Sequence, residues 1–318
     1  MSDESGTVLV TGAAGFIGSH LCDRMLAQGY RVIGIDDLSV GRIANLAEAR
    51  GYGKDFQFYN LDIRAEAIPA VFEKHRPEIV MHLAAQSGVR PSLEDPKHDA
   101  EINVLGTINL LEAAARTGTR KVVYAASGGT IYGEPRRLPA KETAASGSHP
   151  QSPYGISKRV VHDYLLYFQR YEGLDFSSLA LANVYGPRQD PHGEAGVVSI
   201  FGRRMLAGER PQINGDGNQT RDYLYVEDVV DAFARATDAG SGRLINVGTG
   251  LETSVNHLFR LLAELTAYAG EPTYGPLPKG DLRRSALDPS VAERELGWKP
   301  WTQLEEGLRQ TVEWLKAG

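Results

Sequence analysis

The sequence predicts an α/β fold: a doubly wound parallel sheet followed by a smaller C-terminal α/β region. Short β-branched apolar runs alternate with longer helical patterns through the first 180 or so residues, the signature of βαβ units. The runs are apolar at consecutive positions, as strands buried on both faces are. Beyond Gly186 the rhythm loosens into Gly/Pro-rich pieces such as "GPRQDPHGEAG", "INGDGNQTRDY" and "YGPLPKGDLRRS", mixed with short helices.

In order, "TVLVTG" reads as a strand leading into a helix from about Gly15 to Gln28, and "YRVIGID" as a second strand followed by a helix. "FQFYNLDI" precedes the helix "IPAVFEKH", and "EIVMHLAA" precedes a helix near Asn103 to Thr117. "KVVYAAS" then leads to a helix from Pro153 to Tyr171, and "DFSSLALANVYG" follows. The expected division is 1–180 and 181–318, with "LINVGTG" returning to the sheet near 229–250. No repeat at a period of 20–50 residues is visible.

Composition narrows the function. The 318 residues carry 40 acidic and 34 basic side chains, a net charge of −6, and no basic block, which argues against nucleic acid and anionic membrane as partners. No apolar run approaches the ~18 residues of a membrane span. The acidic start "MSDESGTVLVTG" lacks the regions of a secretory signal. The single cysteine, Cys22, falls among apolar residues of the first helix and reads as core. A cytoplasmic setting and no metal site are expected.

The first strand-to-helix turn, "VLVTGAAGFIGSHLCDRM", places Gly12, Gly15 and Gly18 in G-x-x-G-x-x-G spacing. There the backbone must turn tightly and approach a pyrophosphate held by the helix N-terminus. A plain tight turn also uses glycine, so context decides. Asp36 ends the second strand, where a carboxylate accepts hydrogen bonds from ribose hydroxyls and repels a 2′-phosphate, favouring NAD over NADP. Phe16 and Ile17 beside the turn, Asp62 and Ile63 after the third strand, and Leu83, Ala84 and Ala85 after the fourth complete the expected cofactor lining. Asp62 either reaches the adenine amino group or caps a helix.

"SPYGISK" places Tyr154 and Lys158 four apart on one helical face, behind Ser152 as N-cap and Pro153 at the first helical position. The spacing arises readily by chance, and an amphipathic helix with a snorkelling lysine would show it too. A phenol titrates near pH ~10 and becomes a general base at neutral pH only where nearby positive charge favours the phenolate. Lys158 and a bound nicotinamide are the expected sources.

Together, "TGAAGFIG", Asp36, "HLAAQ", "SGGTIYG", "SPYGISK", "ANVYGP" and "RDYLYVEDV" resemble the extended short-chain dehydrogenase/reductase family, and within it the nucleotide-sugar epimerases. The resemblance spans nearly the whole chain, including "KGDLRRSALDPSVAERELGW". It implies a Rossmann-like domain holding NAD and a smaller domain holding a UDP-sugar. The implied reaction is C4 epimerisation of a UDP-hexose through a 4-keto sugar, with Tyr154, Lys158 and Ser127 catalytic. Asn103, Thr130, Asn183, Arg221 and Arg283 match substrate-binding positions; Asn103 alternatively caps its helix, and Arg284 alternatively replaces Arg283. Asp228 reads as a helix cap or surface charge. Relatives are often homodimers through the helices near 103–117 and 153–171.

Three departures from the family pattern matter. The hydroxyl that usually follows Ser127 by one residue is replaced by Gly128, so Ser127 or Thr130 must serve, with Ser127 favoured. The acidic pair of the sugar dehydratases is absent after Gly-Gly-Thr. Ser285 stands where a bulky tyrosine restricts some epimerases, leaving room for 2-acetamido sugars. The alternatives are a UDP-glucuronate 4-epimerase, suggested by "AAQSGVRPS" with Arg90 but opposed by Asn183, a nucleotide-sugar reductase or decarboxylase, and a non-catalytic NAD-binding regulator.

Overall fold

In the computed structural model, which describes residues 6–190, 196–278 and 280–317, seven parallel strands form the central sheet. They are β1 (Thr7–Thr11), β2 (Arg31–Asp36), β3 (Phe56–Asn60), β4 (Ile79–His82), β5 (Lys121–Ser127), β6 (Asp175–Leu181) and β11 (Arg243–Val247), in the order β11-β6-β5-β4-β1-β2-β3. Burial on both faces explains their apolar runs: Val8 and Val10 enter one apolar cluster while Leu9, between them, enters the other. The chain winds outward from β1 through β2 to β3, then crosses back to β4 on the other flank of β1. This topological switch opens a crevice at the strand C-termini, where β1 pairs Thr11 with Ile35 and with His82.

Helix α1 (Phe16–Ala27) buries Leu21, Cys22 and Met25 against this sheet, while Ile17 is only partly buried. Helix α2 (Ile68–His75) covers the opposite face. The segment before α3 (Thr107–Thr117) departs from the single helix expected from Asn103: Glu101–Gly106 winds as a π-turn. A Cβ at Gly106 would lie 2.8 Å from the Ile63 side chain, so that turn meets the Ile63 loop only because it carries glycine. Helix α4 (Pro153–Glu172) starts as the sequence expects: Pro153 is its first residue and Ser152 Oγ accepts from Gly155 N at 3.1 Å.

The remaining strands are short: β7 (Asn183–Tyr185) pairs with β10 (Tyr223–Tyr225), β9 (Thr220–Arg221) with β12 (Thr253–Ser254), and β8 (Gln212–Asn214) with β13 (Thr273–Gly275). Helices α5 (Val197–Leu206), α6 (Val226–Ala236), α7 (Val255–Thr266) and α8 (Leu304–Ala317) enclose them. Their apolar faces join the same cluster as Val8 and Val10, so one core runs from the sheet to Val312. Asp228 is neither a surface charge nor a helix cap. It is fully buried in the first turn of α6, and its carboxylate accepts from the N–H groups of Trp301 and Thr302, tying the chain that leads into α8.

Candidate active site

The glycine-rich turn is built for close approach. Gly12 has φ +69°, and a Cβ there would lie 2.9 Å from Ala84 N; a Cβ at Gly18 would lie 2.0 Å from the Gly12 carbonyl oxygen. No larger residue fits either place without moving backbone. Asp36 is nearly buried at the end of β2, where Oδ2 accepts from Ala14 N at 2.9 Å and Oδ1 from Leu38 N at 2.8 Å. Burial pushes its pKa up and these N–H groups pull it down. Each carboxylate oxygen retains lone-pair capacity for a ribose hydroxyl. Gly41 completes this corner, since a Cβ there would lie 2.7 Å from Asp36 Oδ1. No sequence motif had marked it.

Under the turn lies a polar chain that sequence reading also missed. Thr107 Oγ1 donates to Asn103 O at 2.7 Å, so it accepts from His82 Nε2 at 2.8 Å; Thr11 Oγ1 then donates to His82 Nδ1 at 2.7 Å. Thr11 Oγ1 also accepts from Leu83 N and Ala84 N. His82 is thereby a neutral, fully buried strut between β1, β4 and α3, its pKa lowered to about 3 by burial and then by the Lys158 charge. Leu83, Ala84 and Ala85 follow it, partly exposed at the crevice, with Phe16 and Ile17 partly exposed beside the glycine turn.

At the outer end, Asp62 Oδ1 accepts from Arg64 N at 2.8 Å and its carboxylate grips the Arg64 guanidinium, with Nη2 to Oδ2 at 2.6 Å. Arg64 holds the carboxyl below its usual range. The helix-capping alternative is thus replaced by a local turn: α2 begins at Ile68, with Ala67 as its cap residue. Ile63 is buried beside it, and its carbonyl accepts from Asn109 Nδ2 at 2.8 Å.

The strand β5 ends at Ser127, where the chain turns through the short helix Gly128–Ile131. The Ser127 side chain is the neighbour that favours ionisation of the Tyr154 phenol, whereas Thr130 Oγ1 donates back to Ser127 O at 3.3 Å. Of the two hydroxyls left open by Gly128, Ser127 is the one that meets the phenol. Lys158 is buried one turn along α4 from Tyr154; its Nζ donates to Ala125 O at 3.0 Å and lies 4.9 Å from the Tyr124 ring centroid and 5.9 Å from that of Tyr154. Burial lowers Lys158 to about 8, opposed by Asp99. The half-buried Tyr154 is raised to about 12, chiefly by burial, and Ser127 is the group that pulls it down. Without a bound nicotinamide, burial outweighs the other influences on the phenol.

Asn103 neither caps a helix nor faces open space. It is 2% exposed within the π-turn; Nδ2 donates to Gln86 O and Asp99 Oδ1, and Oδ1 accepts from Gln86 N. It braces the site from beneath. Asn183 opens β7, its N–H donating to Asp222 O, and its Oδ1 lies 3.7 Å from where a Cβ at Gly129 would stand. The arginines gather on the facing segment, where Thr220 N donates to Arg283 O. Arg221 is ion-paired with Asp281, Arg283 reaches Asp216 at 3.4 Å, and Arg284 pairs with Glu252, which also accepts from Thr220. Ser285 is buried, its N–H donating to Thr220 O. Arg90 pairs with Glu94 at 3.1 Å in an exposed position. Among the described residues, no cluster of three His, Cys, Asp or Glu side chains could hold a metal ion, and no helix is long and apolar enough to cross a membrane.

Comparison with known proteins places the fold and the sequence among nucleotide-sugar enzymes. The UDP-glucose 4-epimerase of Mycolicibacterium smegmatis is 49% identical over 97% of this chain and 98% of its own. A crystal structure of UDP-glucose 4-epimerase from Thermotoga maritima with UDP-glucose superposes with a TM-score of 0.94 at 47% identity, covering 98% of this chain and 99% of that one. The Thermus thermophilus UDP-glucose 4-epimerase complex with NAD gives a TM-score of 0.91 at 41% identity, covering 98% and 99%. Residues 8–248 match the family model directly. With a glycine cradle, a nearly buried carboxylate at the end of β2 and a Tyr-Lys pair at one crevice, the chain belongs to the NAD dependent epimerase/dehydratase family.

Proposed function

We propose that the protein catalyses NAD-dependent C4 epimerisation of a UDP-hexose, interconverting UDP-glucose and UDP-galactose through a 4-keto sugar. The observation that carries this reading is the Tyr154 phenol with Ser127 and the buried Lys158 ammonium beside it, at the strand ends facing the glycine cradle. NAD, when bound, supplies the hydride acceptor and donor for C4 and a cationic ring whose charge favours the phenolate. Tyr154 takes the proton of the sugar 4-hydroxyl and returns it after the ring has turned over. Ser127 holds that hydroxyl against the phenol, and Lys158 orients the nicotinamide ribose and adds positive charge.

Gly12, Gly15 and Gly18 admit the pyrophosphate, Asp36 accepts the adenosine ribose, and Asp62 with the N–H of Ile63 meets the adenine edge. For Asp62 this requires Arg64 to share the carboxylate. Asn183, Arg221 and Arg283 hold the sugar diphosphate; the planar guanidinium forks suit it, and the Asp281 and Asp216 pairs hold two of them in place beforehand. We place the cofactor on residues 1–180 with the return near 229–250, and the nucleotide sugar on 181–318. A homodimer is supported by the exposed large apolar side chains Leu105, Ile156, Tyr164, Tyr167 and Tyr171 of the π-turn and α4, which a second copy would cover. A cytoplasmic setting agrees with one buried, unpaired cysteine.

The test is to incubate the purified protein, without added NAD, with UDP-glucose, UDP-N-acetylglucosamine and UDP-glucuronate separately and to look for C4 epimers by NMR. Formation of UDP-galactose from UDP-glucose with no NADH release supports the reading. The small buried Ser285 adds turnover of the acetamido sugar, and Ser285→Tyr should abolish that while sparing UDP-glucose. Turnover of UDP-glucuronate alone would replace the hexose reading, and stoichiometric NADH release would replace epimerisation by net oxidation.

A further inference from the structure

The deepest charged group near Lys158 is one for which the reaction above has no use. Asp99 lies in the short helix Pro96–Ala100 and is fully buried. Its Oδ2 accepts from Ser157 Oγ at 2.6 Å and its Oδ1 from Asn103 Nδ2 at 3.0 Å. Ser157 is the residue before Lys158, and Asn103 is pinned to the backbone of Gln86 at the end of the β4 loop. One carboxylate thus joins the catalytic helix to the loop that floors the cofactor crevice. A carboxylate sealed from water with only two hydrogen bonds is costly unless a cation lies near.

We propose that Asp99 is a positioning residue for the Tyr154 and Lys158 pair: its buried negative charge keeps Lys158 protonated, and its bond to Ser157 sets the turn of α4 that carries both side chains. The proposal rests on Tyr154 and Lys158 being the reactive pair. The other groups facing Lys158 supply no negative charge: the Ala125 carbonyl and the Tyr124 ring from β5, the Tyr154 ring from its own helix, and neutral His82 from β4. Asp99 is faced in turn by Lys158, Ser157 and Asn103, with His98 beside it in the chain. Its field also reaches the Tyr124 and Tyr154 phenols, which it disfavours as anions. Burial lowers Lys158 to about 8, and Asp99 is the charge that opposes this.

The sign of the effect follows. Asp99 raises the pKa of both Lys158 and Tyr154, so Asp99→Asn should move both limbs of the kcat profile between pH 6 and 10 toward acid. The expected displacement is about one pH unit, or about tenfold in the protonated fraction of Lys158 on the alkaline side. Asp99→Glu should bring the limbs back. Ser157→Ala, which leaves the carboxylate with one bond fewer and so less ionised, should move them the same way by less. Loss of kcat by one factor at every pH, or no return with Asp99→Glu, would reduce Asp99 to a packing residue and overturn the proposal. If Asp99→Asn does not fold, unmoved limbs in Ser157→Ala overturn it. Tyr154→Phe, measured alongside, separates the two levels. Wild-type turnover in that variant sinks the reactive pair itself, whereas an inactive Tyr154→Phe with unmoved limbs in Asp99→Asn sinks Asp99 alone.

Discussion

Gly128 departs from the family pattern, which places a hydroxyl there, and the fold gives a steric reason for its being glycine. A Cβ there would lie 2.4 Å from Leu287 Cδ1, 3.0 Å from Leu287 Cδ2 and 3.1 Å from the Ala180 carbonyl oxygen. Leu287 has little room to give, being 1% exposed with its backbone N–H donating to Asp222 Oδ2. Asp222 is itself fully buried and also accepts from Thr249 and Gly250. Gly128→Ser therefore overpacks a core site and should destabilise by about 1–3 kcal/mol. Leu287→Ala leaves a cavity and should lose about 2–5 kcal/mol alone. In the double variant the serine enters the space that the leucine vacated, so the total should fall short of the sum by about 1–2 kcal/mol. Urea denaturation followed by fluorescence is suited to this because Trp298 is fully buried. Additivity within about 0.5 kcal/mol would refute the reasoning, since contacting residues couple and distant ones do not.

Ser127 and His82 give two further expected outcomes. Ser127→Ala removes the phenol's hydroxyl partner and should lower kcat by about 10²-fold, while Thr130→Ala, whose hydroxyl turns back to the Ser127 carbonyl, should stay within about threefold; steady-state kinetics with UDP-glucose would reject the assignment if the order were reversed. His82 is held neutral down to about pH 3, so the unfolded chain binds a proton below its ordinary 6.5 that the folded chain refuses, and stability falls as pH drops through that window. The slope reaches at most about 1.4 kcal/mol per pH unit, and His82→Gln should remove one proton's worth of it between pH 6 and 4; parallel stability curves for the two proteins would contradict the buried neutral imidazole.

What could be read in the sequence and what could not divide along a physical line. Strands β1, β2, β4, β5 and β6 were legible because burial on both faces leaves unbroken apolar runs, and the start of α4 because Ser152 and Pro153 act within one turn. Gly12 and Gly18 were legible because the tight strand-to-helix turn leaves no room for a Cβ at either place. The π-turn was not, since it depends on Ile63 filling the space beside Gly106, 43 residues away in the chain. Asp228 reads as a surface charge in an amphipathic helix until Trp301 and Thr302 return to cover it. His82 and Asp99 look like ordinary polar residues in a strand and a loop; only the approach of Thr11, Thr107 and Ser157 makes them struts.

The same division bears on how the site works. The residues proposed to meet ligand, Ser127, Tyr154 and Asn183, retain some exposure, while those that hold them, Thr11, His82, Asp99 and Asn103, are closed to water and bonded to one another or to backbone. An unpaired polar group at such depth costs about 1–3 kcal/mol, so the buried set resists rearrangement as a unit. Proton transfer between a sugar hydroxyl and a phenol needs their oxygens at hydrogen-bond distance on each half of the reaction, while the sugar between must be free to turn over. A rigid floor beneath a partly open surface meets both requirements: the floor keeps Ser127, Tyr154 and Lys158 in register, and the substrate's rotation is left to the side that the floor does not touch.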